Sequence, residues 1–217
     1  LKFLTEDYTG AVSDFDMTIK LDPNFADAYN DRGSSKRMLE DFENALKDYQ
    51  KATQLDPQKS FYFNNLGTVL KKLKKYEESI KAYNKAIQLE PDYFIAYNNR
   101  GSVKFEMKDY NAAIQDFDNA IKLNAKYAFA YNSRGSAKVK LEDYKGAMAD
   151  FNKAIQLNPN YGYAFMNRGI CKELMKDQPG ACIDWETAGK LGIAKATNYS
   201  TNECNRLNLL KDQLNTK

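Results

Sequence analysis

Apolar and small residues along this chain fall into paired helical stripes. In the segment 26–59, Ala26, Tyr29, Gly33 and Leu39 lie at roughly helical spacing. Phe42, Ala45, Leu46, Tyr49, Ala52 and Leu55 then form a second stripe. A polar corner lies between the stripes and ends in Asp at Asp41, Asp109, Asp143 and Asp177, where a short carboxylate can cap the first free amides of the second helix. The segment closes on Asp56-Pro57, as others do on Glu90-Pro91 or Asn158-Pro159, and proline keeps the second helix from continuing. The pattern predicts an antiparallel helix pair.

The pair recurs along nearly the whole chain. Glycine stands at Gly33, Gly67, Gly101, Gly135 and Gly169, each 34 residues after the last. An aromatic precedes each glycine by four residues (Tyr29, Phe63, Tyr97, Tyr131, Phe165), and another follows it by sixteen (Tyr49, Tyr83, Phe117, Phe151, Trp185). The repeats are 26–59, 60–93, 94–127, 128–161 and 162–195; residues 1–25 keep the register as the second half of a truncated repeat, and 196–217 leave it. Glycine inside a helix costs about 1 kcal/mol against alanine. Its recurrence predicts a close approach to the small residue facing it, at Ala45, Ser79, Ala113, Ala147 or Ala181. Such pairs stack into a solenoid.

This period and pattern resemble the tetratricopeptide repeat family, whose signature has a Trp, a Leu-Gly, an Ala-x₃-Phe and a closing Pro. Here Tyr or Phe holds the Trp position and Ala45-x₃-Tyr49 has equivalents in the other repeats, Ser79-x₃-Tyr83 being the variant. The resemblance covers residues 1–195 and implies an all-α fold, a right-handed α-solenoid of antiparallel helix pairs. Residues 196–217 are expected to form a C-terminal capping helix, because an end repeat needs a lid over its last apolar face, with a partner-docking helix as the alternative. Ser200-Thr201-Asn202-Glu203 reads as a capping box opening that helix, and Leu207, Leu210 and Leu214 as its apolar stripe. Two departures recur. The Leu before the glycine is Arg32, Arg100, Arg134 or Arg168, and the usual later Tyr is Lys36, Lys104, Lys138 or Lys172.

The arginines have a partner legible in the repeats. Sixteen residues after each stands an Asp, giving Arg32/Asp48, Arg100/Asp116, Arg134/Asp150 and Arg168/Asp184. In repeat two both vanish together, leaving Leu66 and Ala82. The covariation predicts an ion pair between the two helices of one repeat, since partly buried charges come paired. A catalytic Asp or an anion-binding Arg is the alternative.

Composition removes whole classes of chemistry. The chain of 217 residues holds no histidine, which excludes His-based general-base, triad and imidazole-ligand schemes. A net charge of +3 from 32 basic and 29 acidic residues argues against a nucleic-acid footprint, and no apolar run is long enough to span a membrane. No catalytic residue, cofactor or metal site is expected. Cys171, Cys182 and Cys204 crowd one end without a Cys-x-x-Cys. Buried apolar thiols are the default, and a Cys182–Cys204 disulfide pinning the cap in an oxidising compartment is the sharper option. With no leader visible at Leu1 the expectation leans to the cytoplasm. A secreted or periplasmic setting is the alternative if a leader has been removed, and the Asn198-Tyr199-Ser200 sequon hints that way.

Function must therefore live on the surface the repeats present. The resemblance implies a concave groove lined by the first helices at the second, fifth, ninth and twelfth positions of each repeat. Asn30, Asn64, Asn98 and Asn132 form one column there, similar to the asparagine ladders with which some superhelical repeat proteins hold extended chains. Polar filler on a solvated face is the other reading. Phe61, Ile95, Phe105, Phe129 and Tyr163 supply apolar groove positions, while Arg37 and Lys71 make the earlier repeats basic. The basic and amide clamp of the chaperone-binding members is not expected, because Asn and Ser or Thr occupy its positions. A binding module for an extended peptide or partner helix follows, with self-association into a homo-oligomer as the alternative.

Overall fold

A computed structural model describes residues 7–199 together with 201 and 204. Among these, all regular structure is helical, and the chain falls into two compact units that divide after Met107. No helix is long and apolar enough to cross a membrane among the described residues.

The N-terminal unit holds α1 (Tyr8–Leu21), α2 (Ala26–Met38), α3 (Phe42–Leu55), α4 (Ser60–Lys72), α5 (Tyr76–Leu89) and α6 (Phe94–Glu106). The C-terminal unit holds α7 (Tyr110–Leu123), α8 (Ala128–Lys140), α9 (Tyr144–Leu157), α10 (Gly162–Leu174), α11 (Gln178–Lys190) and α12 (Ala194–Tyr199). Within the units α2 packs on α3, α4 on α5, α8 on α9 and α10 on α11. The expected caps are made. Asp41, Asp109, Asp143 and Asp177 accept from the amides of Asn44, Ala112, Gly146 and Gly180, and Asp7 does the same for α1. The second helices α3, α7 and α9 end on extended residues, Asp56, Asn124 and Asn158, and Asn124 does so without a following proline.

The corner within each pair is tighter than the sequence pattern shows. Glu40, Lys74, Lys108, Glu142 and Lys176 all take positive φ, between 59° and 66°. After α2 the Asp41 amide reaches back to the Lys36 carbonyl at 2.9 Å, a left-handed stop usually given to glycine. The structure gives it to charged residues instead.

Each core is built on the ring sixteen residues after the glycine. Tyr49, Tyr83, Phe117, Phe151 and Trp185 are buried, as are Ala52, Ala86, Ala120, Ala154 and Ala188 one turn on. The glycine answers mainly to that ring. A Cβ at Gly135 would lie 2.8 Å from Phe151, and one at Gly169 would lie 2.5 Å from Trp185. The facing small residue is a neighbour too, since the Ser79 hydroxyl donates to the Gly67 carbonyl at 2.6 Å.

At the C-terminal end, Tyr199 of α12 stacks on Trp185 with ring centres 5.1 Å apart, and Ile193 and Ala196 pack against Met166 and Ala188. Helix α12 already begins at Ala194, ahead of the expected capping box; Ser200, Glu203 and the stripe Leu207, Leu210 and Leu214 lie outside the described residues. Cys182 is disulfide-bonded to Cys204, with Cα atoms 5.7 Å apart, so the default of a free buried thiol is corrected there. It holds for Cys171, which is buried and free, its thiol pushed up by burial and then by Asp143.

Candidate functional site

The predicted ion pair is a larger assembly. Arg32 donates through Nε and Nη2 to Asp48, at 2.9 and 2.5 Å, and Lys36 Nζ reaches the same carboxylate at 2.7 Å. Arg134, Lys138 and Asp150 repeat the arrangement, as do Arg168, Lys172 and Asp184. The remaining guanidinium nitrogen reaches back to the preceding repeat: Arg32 to Asp16, Arg100 to Asn84, Arg134 to Asp118 and Arg168 to Asn152, at 2.6 to 2.7 Å. Each arginine also lies 5.4 to 5.5 Å from the centre of the ring three residues before it, from Tyr29 to Phe165. The lysine was legible in the sequence, because Leu70 replaces it where Leu66 and Ala82 replace the other two. These charges are structural, consumed between helices and between repeats. The guanidiniums of Arg32 and Arg134 are held above their ordinary value, by the Asp48 bond foremost for Arg32 and by Asp150 and Asp118 against burial for Arg134.

The asparagine column is neither exposed nor filler. Asn30, Asn64, Asn98 and Asn132 are only 4 to 8 % exposed. Asn30 Oδ1 accepts from Asn65 Nδ2 at 2.9 Å, Asn64 from Asn99 at 3.0 Å and Asn132 from Asn167 at 2.9 Å. Their oxygens thus fix the spacing of successive first helices, which leaves only part of each amide to a ligand. Asn98 Oδ1 is buried and has no hydrogen-bond partner among the described residues. The donor column of Asn65, Asn99 and Asn167 was missed in the sequence; the doublets Asn64-Asn65 and Asn98-Asn99 were its signal. Ninth-position hydroxyls are also engaged: Ser34, Thr68 and Ser136 donate to carbonyls four residues back.

The apolar positions divide. Ile95, Phe105 and Arg37 are half-buried. Phe61, Phe129 and Tyr163, at the starts of α4, α8 and α10, are 37, 47 and 57 % exposed. In the C-terminal unit these rings belong to a row. Phe129 lies 5.5 Å from Tyr127 and 4.7 Å from Tyr161, and Tyr161 lies 6.4 Å from Tyr163. Tyr161 also accepts from Asn132 Nδ2 at 3.3 Å, and burial pushes its hydroxyl up to about 12. Its part in the row was not read from the sequence, because its position precedes the helix. Lys71 is half-buried and meets the Ser102 hydroxyl.

Comparison with known proteins gives the family context. The tetratricopeptide repeat model matches residues 26–59, 94–127 and 128–161, and a TPR repeat model matches 67–108, together more than half of the chain. No curated protein matches the sequence. Among solved structures, MamA protein is 26% identical with a TM-score of 0.62, over 79% of this chain and 94% of its own. PilF from Pseudomonas aeruginosa is 20% identical with a TM-score of 0.76, over 92% of each chain. YrrB, a TPR protein with an unusual peptide-binding site, is 19% identical with a TM-score of 0.60, over 86% of this chain and 97% of its own.

Proposed function

The chain belongs to the tetratricopeptide repeat family and is a protein-interaction scaffold, and on that premise we propose that it holds an extended peptide, or a helix, of a partner protein against its first-helix faces without catalysing a reaction. One observation carries this reading: the row of Tyr127, Phe129, Tyr161 and Tyr163, two of whose rings stand about half in water. Rings fixed on rigid helix starts lose little entropy on binding, and exposed apolar area of this kind marks interaction surfaces. Phe61 extends the same chemistry to the N-terminal unit. The asparagines serve by holding the first helices in register, and the aromatics supply affinity. The peptide-binding site of YrrB supports the reading by analogy of fold.

The test begins with a random peptide library displayed on phage and panned on the immobilised protein. Selected peptides are then titrated against the wild type, Phe129→Ala and Tyr163→Ala. Each substitution should weaken binding by about 1–3 kcal/mol at low and high salt alike. Undiminished binding by the double variant would move the site off this face.

Self-association is the second reading, and α1 favours it: Met17 and Leu21 are 64 and 86 % exposed. Light scattering over a concentration range separates the two, a concentration-dependent mass supporting assembly.

A further inference from the structure

The N-terminal unit contains a cavity of about 400 Å³, walled by Thr68, Lys71, Lys72, Lys74, Asn99 and Glu106 among others. It lies where α4 meets α5 and α6, and three lysines face a single carboxylate in its wall. Lys71 is the unusual member. Its ammonium is half-buried and donates to the neutral Ser102 hydroxyl. Burial pushes it below the ordinary lysine value, Glu106 opposes that and Lys72 adds to it. The comparison within the molecule is direct. Lys36, Lys138 and Lys172 are buried to a similar degree, and each meets an aspartate at 2.7 to 2.8 Å. Lys71 has no carboxylate within ion-pair distance among the described residues, and neither do Lys72 and Lys74. A cation removed from water without a counter-ion is costly, and an arriving anion relieves that cost. The cavity volume falls in the range of small-ligand sites, about 300–1,000 Å³.

We infer that this cavity is an oxyanion site for an Asp or Glu side chain of the bound peptide, with Lys71 as its principal donor and Lys72 and Lys74 as its rim. The inference rests on the proposed groove binding and adds to it within the N-terminal unit: acidic residues of a bound peptide are held there. The cations of the site lie outside the fifth and ninth first-helix positions; Thr68, a ninth-position residue in its wall, already donates to the Asn64 carbonyl. Cations on the rim draw the peptide in, and the half-buried Lys71 makes the charge-assisted hydrogen bond.

The same phage library supplies the test. Acidic residues should be enriched in the selected peptides, and replacing the acidic residue by its amide should weaken binding to the wild type about tenfold or more. Lys71→Met should weaken the acidic peptide to the same degree and leave the amide peptide unchanged. The exposed Lys72→Met/Lys74→Met double variant should lower the association rate at low salt and lose that effect at high salt. NMR of reductively ¹³C-methylated lysines should show the Lys71 signal moving with the acidic peptide and not with its amide counterpart. Peptides without acidic preference, or equal binding of the two peptides, overturn the oxyanion site and leave the groove reading standing. Inorganic phosphate moving Lys71 while acidic peptides do not makes this a free-anion site, and overturns the peptide assignment. A library that selects no peptide overturns the groove and this site together.

Discussion

Arg134 and Asp150 form a two-point pair, Nε to Oδ2 at 2.9 Å and Nη2 to Oδ1 at 2.5 Å, joining the two helices of repeat four. Lys138 shares the carboxylate at 2.8 Å, and the free arginine nitrogen crosses to Asp118 of the repeat before at 2.6 Å. Asp150 is thus a buried acceptor for two cations, and its loss leaves Lys138 without a counter-ion and Arg134 with Asp118 alone.

Asp150→Ala should therefore destabilise the protein by about 3 kcal/mol, the lower end for breaking a buried pair because the arginine side chain keeps 19% of its exposure. Replacing all three residues by the set that repeat two carries, Arg134→Leu with Lys138→Leu and Asp150→Ala, should cost much less. Urea unfolding of both variants checks this. A single variant as stable as the triple one would show that the stranded charges find water.

The helix corners call for glycine where the chain has none, and the helix interiors use glycine where alanine has the better propensity. Glu142 sits at φ 63°, so Glu142→Gly should stabilise by up to about 1 kcal/mol. Gly135→Ala should destabilise by about 1–3 kcal/mol despite its higher propensity, because its Cβ falls 2.8 Å from the Phe151 ring. Thermal melts of the two variants should move in opposite directions.

Alkaline pH should weaken the N-terminal unit through Tyr83. Its hydroxyl is pushed from the ordinary 10.0 up to about 12, by burial before any other cause. The unfolded chain therefore ionises first as pH rises. The stability is intact below pH 10 and is lost as pH climbs towards 12. Tyr83→Phe keeps the ring and removes the titration, so it should lose about 2 kcal/mol less than the wild type across that window. Parallel urea titrations at neutral and alkaline pH measure the difference.

Reduction should loosen the C-terminal end. The Cys182–Cys204 bond closes a loop with a sequence separation of 22, and removing such a link costs about 3 kcal/mol in the chain-entropy account. Hydrogen exchange before and after reduction should show lost protection in α11 and α12, with the N-terminal unit unchanged. Unaltered exchange at Trp185 and Tyr199 would mean that their stacking alone holds α12 in place.

The sequence by itself determined the repeat, the helix pairs, their aspartate caps and the Arg/Asp pairing. All of these are local or recur at a constant offset, so period and covariation reveal them. Repeat two exposed the pairing by losing Arg, Lys and Asp together to Leu66, Leu70 and Ala82. The tertiary structure alone decided what depends on neighbours at no repeated offset. Cys182 is linked to Cys204 because the chain beyond α11 returns to it, which no periodicity encodes. The asparagines looked like ligand contacts because spacing places them on one helix face. It is silent on whether the next repeat covers that face, and packing of the first helices turned their oxygens inward to Asn65, Asn99 and Asn167. Spacing likewise marked Lys71 as a basic groove position and was silent on its burial. Its half-burial beside an open cavity arises only when α4, α5 and α6 are brought together, because desolvation is a property of the packed chain and not of the residue.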